Sequence, residues 1–423
     1  MTKDESSAHY SSVMKKSHSK KYVYQASVQM IANFSIITIS FLINMIASKK
    51  ISPNDYGEYR YIVNYLLLIP GLINFGYSNS VGRLAAIRGE SEQGQISGYS
   101  LKISLTLSLG YVFLSMFMLS MLKLLGNMNL SWNVFFFTPY IVLTTVNLFF
   151  RAVLVGQNKI FSLSLVDLVP QLVFFIVIVV QIYIFDFGST FTLLIPYVIT
   201  HSFTILYRVY RNKPKRVSIK ESFSSLKDEN RRFGIKVYFG SLFGVVIGQL
   251  AGLIVGGLSG MQEYGFFTFA FSFVVPFQML ASTMGTVLYR SNVTRKKLGI
   301  RLFAFVIASN SLAYLLFSFL IGILFEKIFS IDYMRSLPYM RVLAIYGICL
   351  GIGDFINRFL GAKGYGKTLM LGAVFAGLSM LLGTSILVPI FQIMGLVFSY
   401  IISGLTYLFC MLVGYYRYVL NHE

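Results

Sequence analysis

Twelve apolar runs, most of them close to twenty residues long, dominate this chain. A helix rises 1.5 Å per residue, so about 20 such residues cross a hydrocarbon core of about 30 Å. Backbone N–H and C=O groups find no water in that core. Only helices or a closed β-barrel can therefore cross it. Barrel strands alternate apolar and polar residues, and these runs do not. The pattern predicts an all-α integral membrane protein. Its spans fall at residues 23–47, 58–80, 100–122, 133–155, 161–185, 190–210, 237–258, 266–289, 302–325, 338–360, 369–391 and 395–416. Charged residues make up only 12% of the chain, against roughly 25% in a soluble domain.

The net charge of +20 raises the question of a nucleic-acid partner. Its distribution argues against one. With the N-terminus inside, 29 of the 36 Lys and Arg residues fall on the inner side and 7 on the outer. This is the bias that orients membrane proteins, and it predicts cytoplasmic N- and C-termini. The first apolar run is too long for a cleavable signal segment. Segment 208–236 holds ten basic residues and three acidic ones, Glu221, Asp228 and Glu229. It divides the spans six and six. The expected layout is an N-tail (1–22), an N-lobe (23–210), a basic linker (211–236), a C-lobe (237–416) and a C-tail (417–423). Six is even, so both halves enter from the same side as parallel repeats.

A duplicated motif supports the two halves. Asp55-Tyr56-Gly57-Glu58-Tyr59 and Glu263-Tyr264-Gly265-Phe266-Phe267 lie 208 residues apart. Each is followed by an intraspan proline, Pro70 or Pro276, and then by an arginine, Arg83 or Arg290. Ser52-Pro53-Asn54-Asp55 reads as a helix start, with Ser as N-cap and Pro in the first turn. The motifs are first of all outer starts of spans 2 and 8, and secondarily gate elements.

Polar residues inside the spans mark the candidate site. Gln25, Gln29, Asn33, Ser40 and Asn44 fall within one 100° arc of span 1, which suits a helix lining a hydrated cavity. Interhelical hydrogen bonding is the structural alternative. In span 7, Gly240, Gly244, Gly248, Gly252 and Gly256 recur every four residues, a spacing for close packing or for a bendable helix. Arg83, Arg151, Arg290 and Arg358 end spans 2, 4, 8 and 10. They flank the membrane, or they form a cationic vestibule whose planar forks suit phosphate. Two carboxylates, Asp167 and Asp354, are candidate ion-coupling groups, and Asp167, with no cation at helical spacing, is the better of the two. An ion pair from Asp354 to Arg358, one turn on, is expected. Cys349 and Cys410 lie in apolar runs and imply no disulfide. No metal cluster, phosphate loop, HExxH or G-x-S-x-G pattern occurs, so no cofactor and no enzyme are predicted.

Several segments resemble the lipid-linked oligosaccharide flippases of the MOP superfamily, the Wzx-type O-antigen and capsule repeat-unit translocases. They are Ile51 to Tyr59, Phe75-Gly76-Tyr77 with Arg83, the basic linker, and the turn Val388-Pro389-Ile390-Phe391-Gln392-Ile393-Met394-Gly395. The resemblance implies two six-helix lobes around a central cavity, in a bacterial inner membrane. It implies a cargo of undecaprenyl-pyrophosphate carrying one sugar repeat unit, exposed outward for surface polysaccharide. It also implies coupling to H+ or Na+, and a polysaccharide polymerase and chain-length regulator as partners. The nearest rival is a multidrug extrusion antiporter of the same superfamily, made less apt by the lack of carboxylates in spans 1 and 7. A membrane polymerase lacks the large outer loop it would need, and a non-transporting scaffold is the third class.

The charge asymmetry generates a topology test. In a background without Cys349 and Cys410, cysteines at Ser224 and Ser131 should react with an impermeant thiol reagent from opposite sides. Labelling from one side rejects twelve spans.

Overall fold

The computed structural model describes residues 3–88, 92–124, 132–185 and 188–420. Within these, the side chains of 3–26, 117–124, 132, 245, 287, 289–291 and 293–294 lie outside the description, Gln25 and Arg290 among them. The described residues are helical, without strands. Ten helices are long and apolar enough to cross a membrane: Ser27–Lys50, Gln93–Met116, Asn133–Gly156, Ile160–Tyr183, Thr190–Arg211, Met261–Thr286, Ile300–Ile328, Ile331–Ala362, Gly366–Phe391 and Ile393–Leu420. Two bent pairs complete twelve. Span 2 is Pro53–Ile73 with Tyr77–Arg88, bent by 68°, and span 7 is Ile219–Gly244 with Ile247–Ser259, bent by 43°. The first helix runs unbroken over Lys3–Lys50, so the N-tail continues span 1. Six spans end by Arg211 and six follow, the expected linker continuing from Ile219 into the foot of span 7, and the spans have a motif end and a linker end.

The prolines mark where spans break. Pro70 has no N–H to give the carbonyl of Leu66, four residues back. That carbonyl accepts instead from the Thr144 hydroxyl of span 4 at 3.0 Å. Four residues on, Asn74 ends the helix. Its side-chain amide donates to the carbonyls of Pro70 and Gly71, and its Oδ1 accepts from the Gly76 N–H at 2.9 Å. Phe75 (φ 45°) and Gly76 (φ 83°) then turn the chain through the left-handed region. Glycine is needed at 76 for a second reason. A Cβ there would lie 2.5 Å from the backbone of Gly234, at the foot of span 7. In span 8, Pro276 cannot donate to Ser272, and the helix breaks there between Phe271 and Val274. In both lobes, then, proline loosens the span that follows the motif.

The foot of span 7 is stitched to that break. Asn230 donates to the Phe75 carbonyl at 3.2 Å, Ser80 donates to Asn230 Oδ1 at 3.0 Å, and the Tyr238 hydroxyl donates to the Leu72 carbonyl at 2.7 Å. π-helical turns at Asn230–Gly234 and Leu242–Val246 accommodate the bend.

At the motif end the two halves meet on the duplicated glycines. A Cβ on Gly57 would overlap the Met261 carbonyl oxygen and approach the Gly265 nitrogen to 2.8 Å. A Cβ on Gly265 would overlap the Pro53 carbonyl oxygen. The 208-residue repeat maps Gly57 onto Gly265 and Pro53 onto Met261. The two overlaps are therefore one contact seen twice, across a pseudo-twofold axis along the spans. Ser52 caps span 2 as the sequence predicts, accepting from the Asp55 N–H at 3.1 Å.

Aromatic rings extend this contact into a seal. Tyr56 meets Phe269 and Tyr333 of the other lobe at 5.8 and 6.0 Å, and Phe41 meets Phe273 and Phe329 at 5.9 and 6.0 Å. Asn64 donates to the Tyr264 hydroxyl at 2.9 Å, and the Tyr333 hydroxyl to the Ile51 carbonyl at 3.0 Å. Aromatic pairs and neutral hydrogen bonds each contribute about 0.5–1.5 kcal/mol. Such a seal holds by several kcal/mol and can still be broken. The ion pair here, Glu263 with Arg335 at 3.1 Å, stays within one lobe.

The glycine contact generates a prediction. Gly57→Ala inserts a methyl where none fits, costing about 1–3 kcal/mol in the sealed state. A cysteine at Gln249, on the cavity wall, should then react about tenfold faster with an impermeant reagent from the motif end. An unchanged rate would show that the contact does not close the cavity.

Candidate functional site

Between the lobes lies a cavity of two adjoining chambers that share Gln278 and Asp354. The larger, ≈ 640 Å³, sits below the seal. The smaller, ≈ 530 Å³, runs between spans 1 and 8. Both are within the range of small-molecule sites, about 300–1,000 Å³. The smaller chamber is walled by Asn158, Thr286 and Arg358, near the linker-end termini of spans 4, 8 and 10. The seal closes the opposite end, so the cavity faces the linker side.

The larger chamber is built mostly by the C-lobe. Tyr346, Tyr400 and Phe271 form a shelf of rings, with Tyr346–Tyr400 at 5.1 Å and Phe271–Tyr400 at 5.0 Å. The glycine row of span 7 faces it. Of those glycines Gly256 is the most tightly packed, against the Tyr264 ring, and a Cβ at Gly244 would press on Ala373 at 3.3 Å, while a Cβ at Gly240 would meet open space. The spacing that suggests close packing thus mainly clears room for the cavity. The Tyr400 hydroxyl reaches across to the Gly248 carbonyl at 2.9 Å.

The N-lobe adds Arg60 and Asn64 to this chamber. Arg60 Nε donates to the Tyr56 hydroxyl at 3.0 Å, and no carboxylate pairs with its guanidinium among the described residues. Arg60 is missed in the sequence because it counts as a flanking charge on the outer side. Its signal is the broken repeat: position 268, its counterpart, is Thr.

The predicted site residues divide. Gln29, Asn33, Asp354 and Arg358 come together around the smaller chamber. The span 1 stripe also binds span 5. Ser164 donates to Gln29 Oε1 at 2.8 Å, Gln29 to Asn33 Oδ1 at 3.0 Å, and Gln171 to Ser40 at 3.1 Å. One edge of the stripe is therefore glue and the other is wall. Asn44 is 5% exposed and accepts from Tyr56, which puts it in the seal rather than on the cavity wall. Gln25 and Arg290 fall outside the described side chains.

The expected ion pair from Asp354 to Arg358 does not form. Asp354 accepts from Gln278 at 2.9 Å and from the Tyr407 hydroxyl at 3.0 Å, and Tyr407 in turn accepts from Asn357. Two neutral donors from spans 8 and 12 lie nearer than the next turn of its own helix. Arg358 is left exposed at the chamber mouth, without a hydrogen-bond or ion-pair partner among the described residues.

Asp167 is different. Arg151 donates to its Oδ1 at 2.6 Å and Arg208 lies 3.6 Å from the same oxygen. Arg208, only 3% exposed, also donates to Asn147. Spans 4, 5 and 6 are tied by this cluster. Arg83 pairs with Glu229 at 3.1 Å and stacks on Phe233, 4.6 Å from its centroid, which fastens span 2 to the linker. Arg83 and Arg151 line neither described chamber.

Twelve helical spans, a pseudo-twofold axis and a cavity closed at one end define a multi-pass membrane protein with the fold of the MOP-superfamily transporters. The chain overlays a structure described as "Lipid II flippase MurJ, inward closed conformation" at a TM-score of 0.68, with 16% identity over 93% of this chain and 90% of that one. An inward-facing multidrug resistance MATE family transporter of the MOP superfamily overlays at 0.64, with 15% identity over 94% and 98%. A MOP-superfamily transporter from Pyrococcus furiosus overlays at 0.54, with 14% identity over 95% and 95%. Among curated proteins, none matches the sequence. The profile described as polysaccharide biosynthesis protein matches residues 23–289, and the chain belongs to that family.

The two carboxylates should respond oppositely to neutralisation. Asp167→Ala strands Arg208 among buried neighbours, a loss of about 3–5 kcal/mol. It should lower the melting temperature in detergent and the folded yield. Asp354→Asn keeps an acceptor for Tyr407 and should leave the melting temperature unchanged. Equal effects would contradict the pairing described.

Proposed function

We propose that the protein is a flippase for lipid-linked oligosaccharides. It moves undecaprenyl-pyrophosphate carrying a sugar repeat unit from the cytoplasmic to the outer leaflet, by alternating access, for surface polysaccharide such as O-antigen or capsule. The membrane is the bacterial inner membrane, with the linker end and both termini cytoplasmic. The observation that carries this reading is the guanidinium of Arg358, without a partner among the described residues, at the mouth of the chamber between spans 1 and 8. A charge exposed there is completed by an anionic group that stays near the bilayer, as a lipid pyrophosphate does. Family membership and the likeness to a structure described as a lipid II flippase support it.

The seams between lobes support a route for the lipid tail. On one side span 7 is stitched to span 2 at the linker end. On the other, spans 1 and 8 are parted by the smaller chamber. A tail remains in the bilayer at the 1–8 seam while pyrophosphate meets Arg358 and the glycan extends toward the aromatic shelf. Gln29 and Asn33 offer hydrogen bonds on the way. Asp354, hydrogen-bonded but not ion-paired, is the better of the two coupling candidates for H+ or Na+, since Asp167 already serves two arginines. A drug antiporter is less apt, because Arg60 and Arg358 on the walls repel cationic drugs.

Arg358→Ala should lower translocation of the lipid-linked unit about tenfold or more, the loss of a charged hydrogen bond of about 1.5–3 kcal/mol. Arg358→Lys keeps charge but not the fork and should fall between. Outward exposure of the repeat unit in cells, at matched protein level, is the readout. Full activity in both variants rejects Arg358 as the pyrophosphate contact.

A further inference from the structure

Arg60 connects the cavity to the seal. Its side chain lines the larger chamber, and its Nε donates to the Tyr56 hydroxyl at 3.0 Å. Tyr56 donates onward to Asn44 Oδ1 at 2.9 Å. The Tyr56 ring sits edge-on against Phe269 and Tyr333 of the opposite lobe. Tyr333 donates back across the axis to the Ile51 carbonyl. One side chain thus touches both the space where cargo would sit and the ring that closes it.

The rest of the Arg60 guanidinium lacks an acceptor among the described residues. Asp354, the carboxylate on the wall of the same chamber, is occupied by Gln278 and Tyr407. A guanidinium inside a span is costly unless an anion or water completes it. The repeat makes the asymmetry plain, since Thr268 stands where the C-lobe would carry the same cation. Arg60 is thus half-buried without a carboxylate partner among the described residues, and at the same time in contact with the seal.

We infer that Arg60 is the cargo-sensing residue of the motif-end seal. An anionic group at the far end of the chamber takes its terminal nitrogens, and the Nε bond passes the pull to Tyr56. The guanidinium is planar. A bidentate carboxylate or phosphate fixes that plane, and with it the direction of Nε–H. The Tyr56 hydroxyl must follow or lose its donor, which disturbs its ring contacts with Phe269 and Tyr333. The anion acts as a trigger because it binds better when the seal is loosened. The inference rests on the flippase reading. It leaves two sources for the anion, the carrier pyrophosphate or an acidic sugar at the end of the repeat unit.

The test places spin labels on Asn54→Cys and Gln262→Cys, related by the repeat and exposed on either side of the axis. Cys349 and Cys410 are first replaced in the full chain, and the protein is held in nanodiscs. Inorganic pyrophosphate is titrated in one arm and glucuronate in the other. At least one anion should shift the interlabel distances toward longer values. Response to pyrophosphate alone assigns the carrier phosphate, to glucuronate alone the sugar acid, and to both a site that reads either anion. Arg60→Gln should abolish the response, and Arg60→Lys should keep part of it. Tyr56→Phe should bind the active anion within about threefold of the parent by calorimetry while losing the distance change. A purely structural Tyr56 would not separate binding from movement in this way. Silence of the parent to both anions overturns the inference, as does an unaltered response in Arg60→Gln or Tyr56→Phe. Translocation by the labelled parent is assayed separately. An inactive parent counts against the flippase reading, and an active parent with silent labels counts against sensing alone.

Discussion

Two glycines set the architecture. Gly57 and Gly265 let the motif ends of spans 2 and 8 cross with no side chain between them. Everything at that end follows from the approach. It brings Tyr56 within reach of Phe269 and Tyr333, and Asn64 within reach of Tyr264. It sets the pseudo-twofold axis and so the position of the cavity below. A contact made of backbone, rings and neutral hydrogen bonds has modest strength. That suits a closure that must open, because proteins switch between packed arrangements rather than deforming continuously.

Charge inside the spans is sorted by partner. Each charged group there costs about 2.5–3.5 kcal/mol on insertion scales, so pairing status separates structure from function. Arg151 and Arg208 share Asp167, and the cluster binds three helices. Arg83 and Glu229 tie span 2 to the linker. Arg60 and Arg358 have no carboxylate partner among the described residues, one at each end of the cavity. The prolines complement this sorting. They weaken spans 2 and 8 at different depths: span 2 bends near its linker end, at Asn74–Gly76, and span 8 between Phe271 and Val274.

The spans, the six-plus-six division and the duplicated motif are legible in the sequence, because length and hydropathy follow directly from the bilayer. The contact of the two motifs across the lobes is not legible there, since Ser52 and Pro53 equally explain a helix start. The sharp bend at Phe75-Gly76 is hidden in an apolar run, with Pro70 as its one signal. Partnerships are the least legible. Asp167 finds Arg151 and Arg208 at separations of 16 and 41 residues, which helical spacing does not reveal. Asp354 passes over Arg358, one turn away, for Gln278 and Tyr407 on other spans. The glycine row of span 7 reads as a packing stripe, yet Gly240, Gly244, Gly248 and Gly252 line the cavity, with Tyr400 set against the last two.

In the proposed flippase, cargo passes through the cavity between the lobes and leaves by opening the motif-end seal. The most direct test is transbilayer movement of an undecaprenyl-pyrophosphate-linked oligosaccharide in proteoliposomes containing the Asn54→Cys, Gln262→Cys protein. A short, reducible thiol cross-linker would hold the seal closed. The cross-linked protein should stop translocating, and reduction should restore the original rate. Translocation by the cross-linked protein at the uncross-linked rate would contradict it.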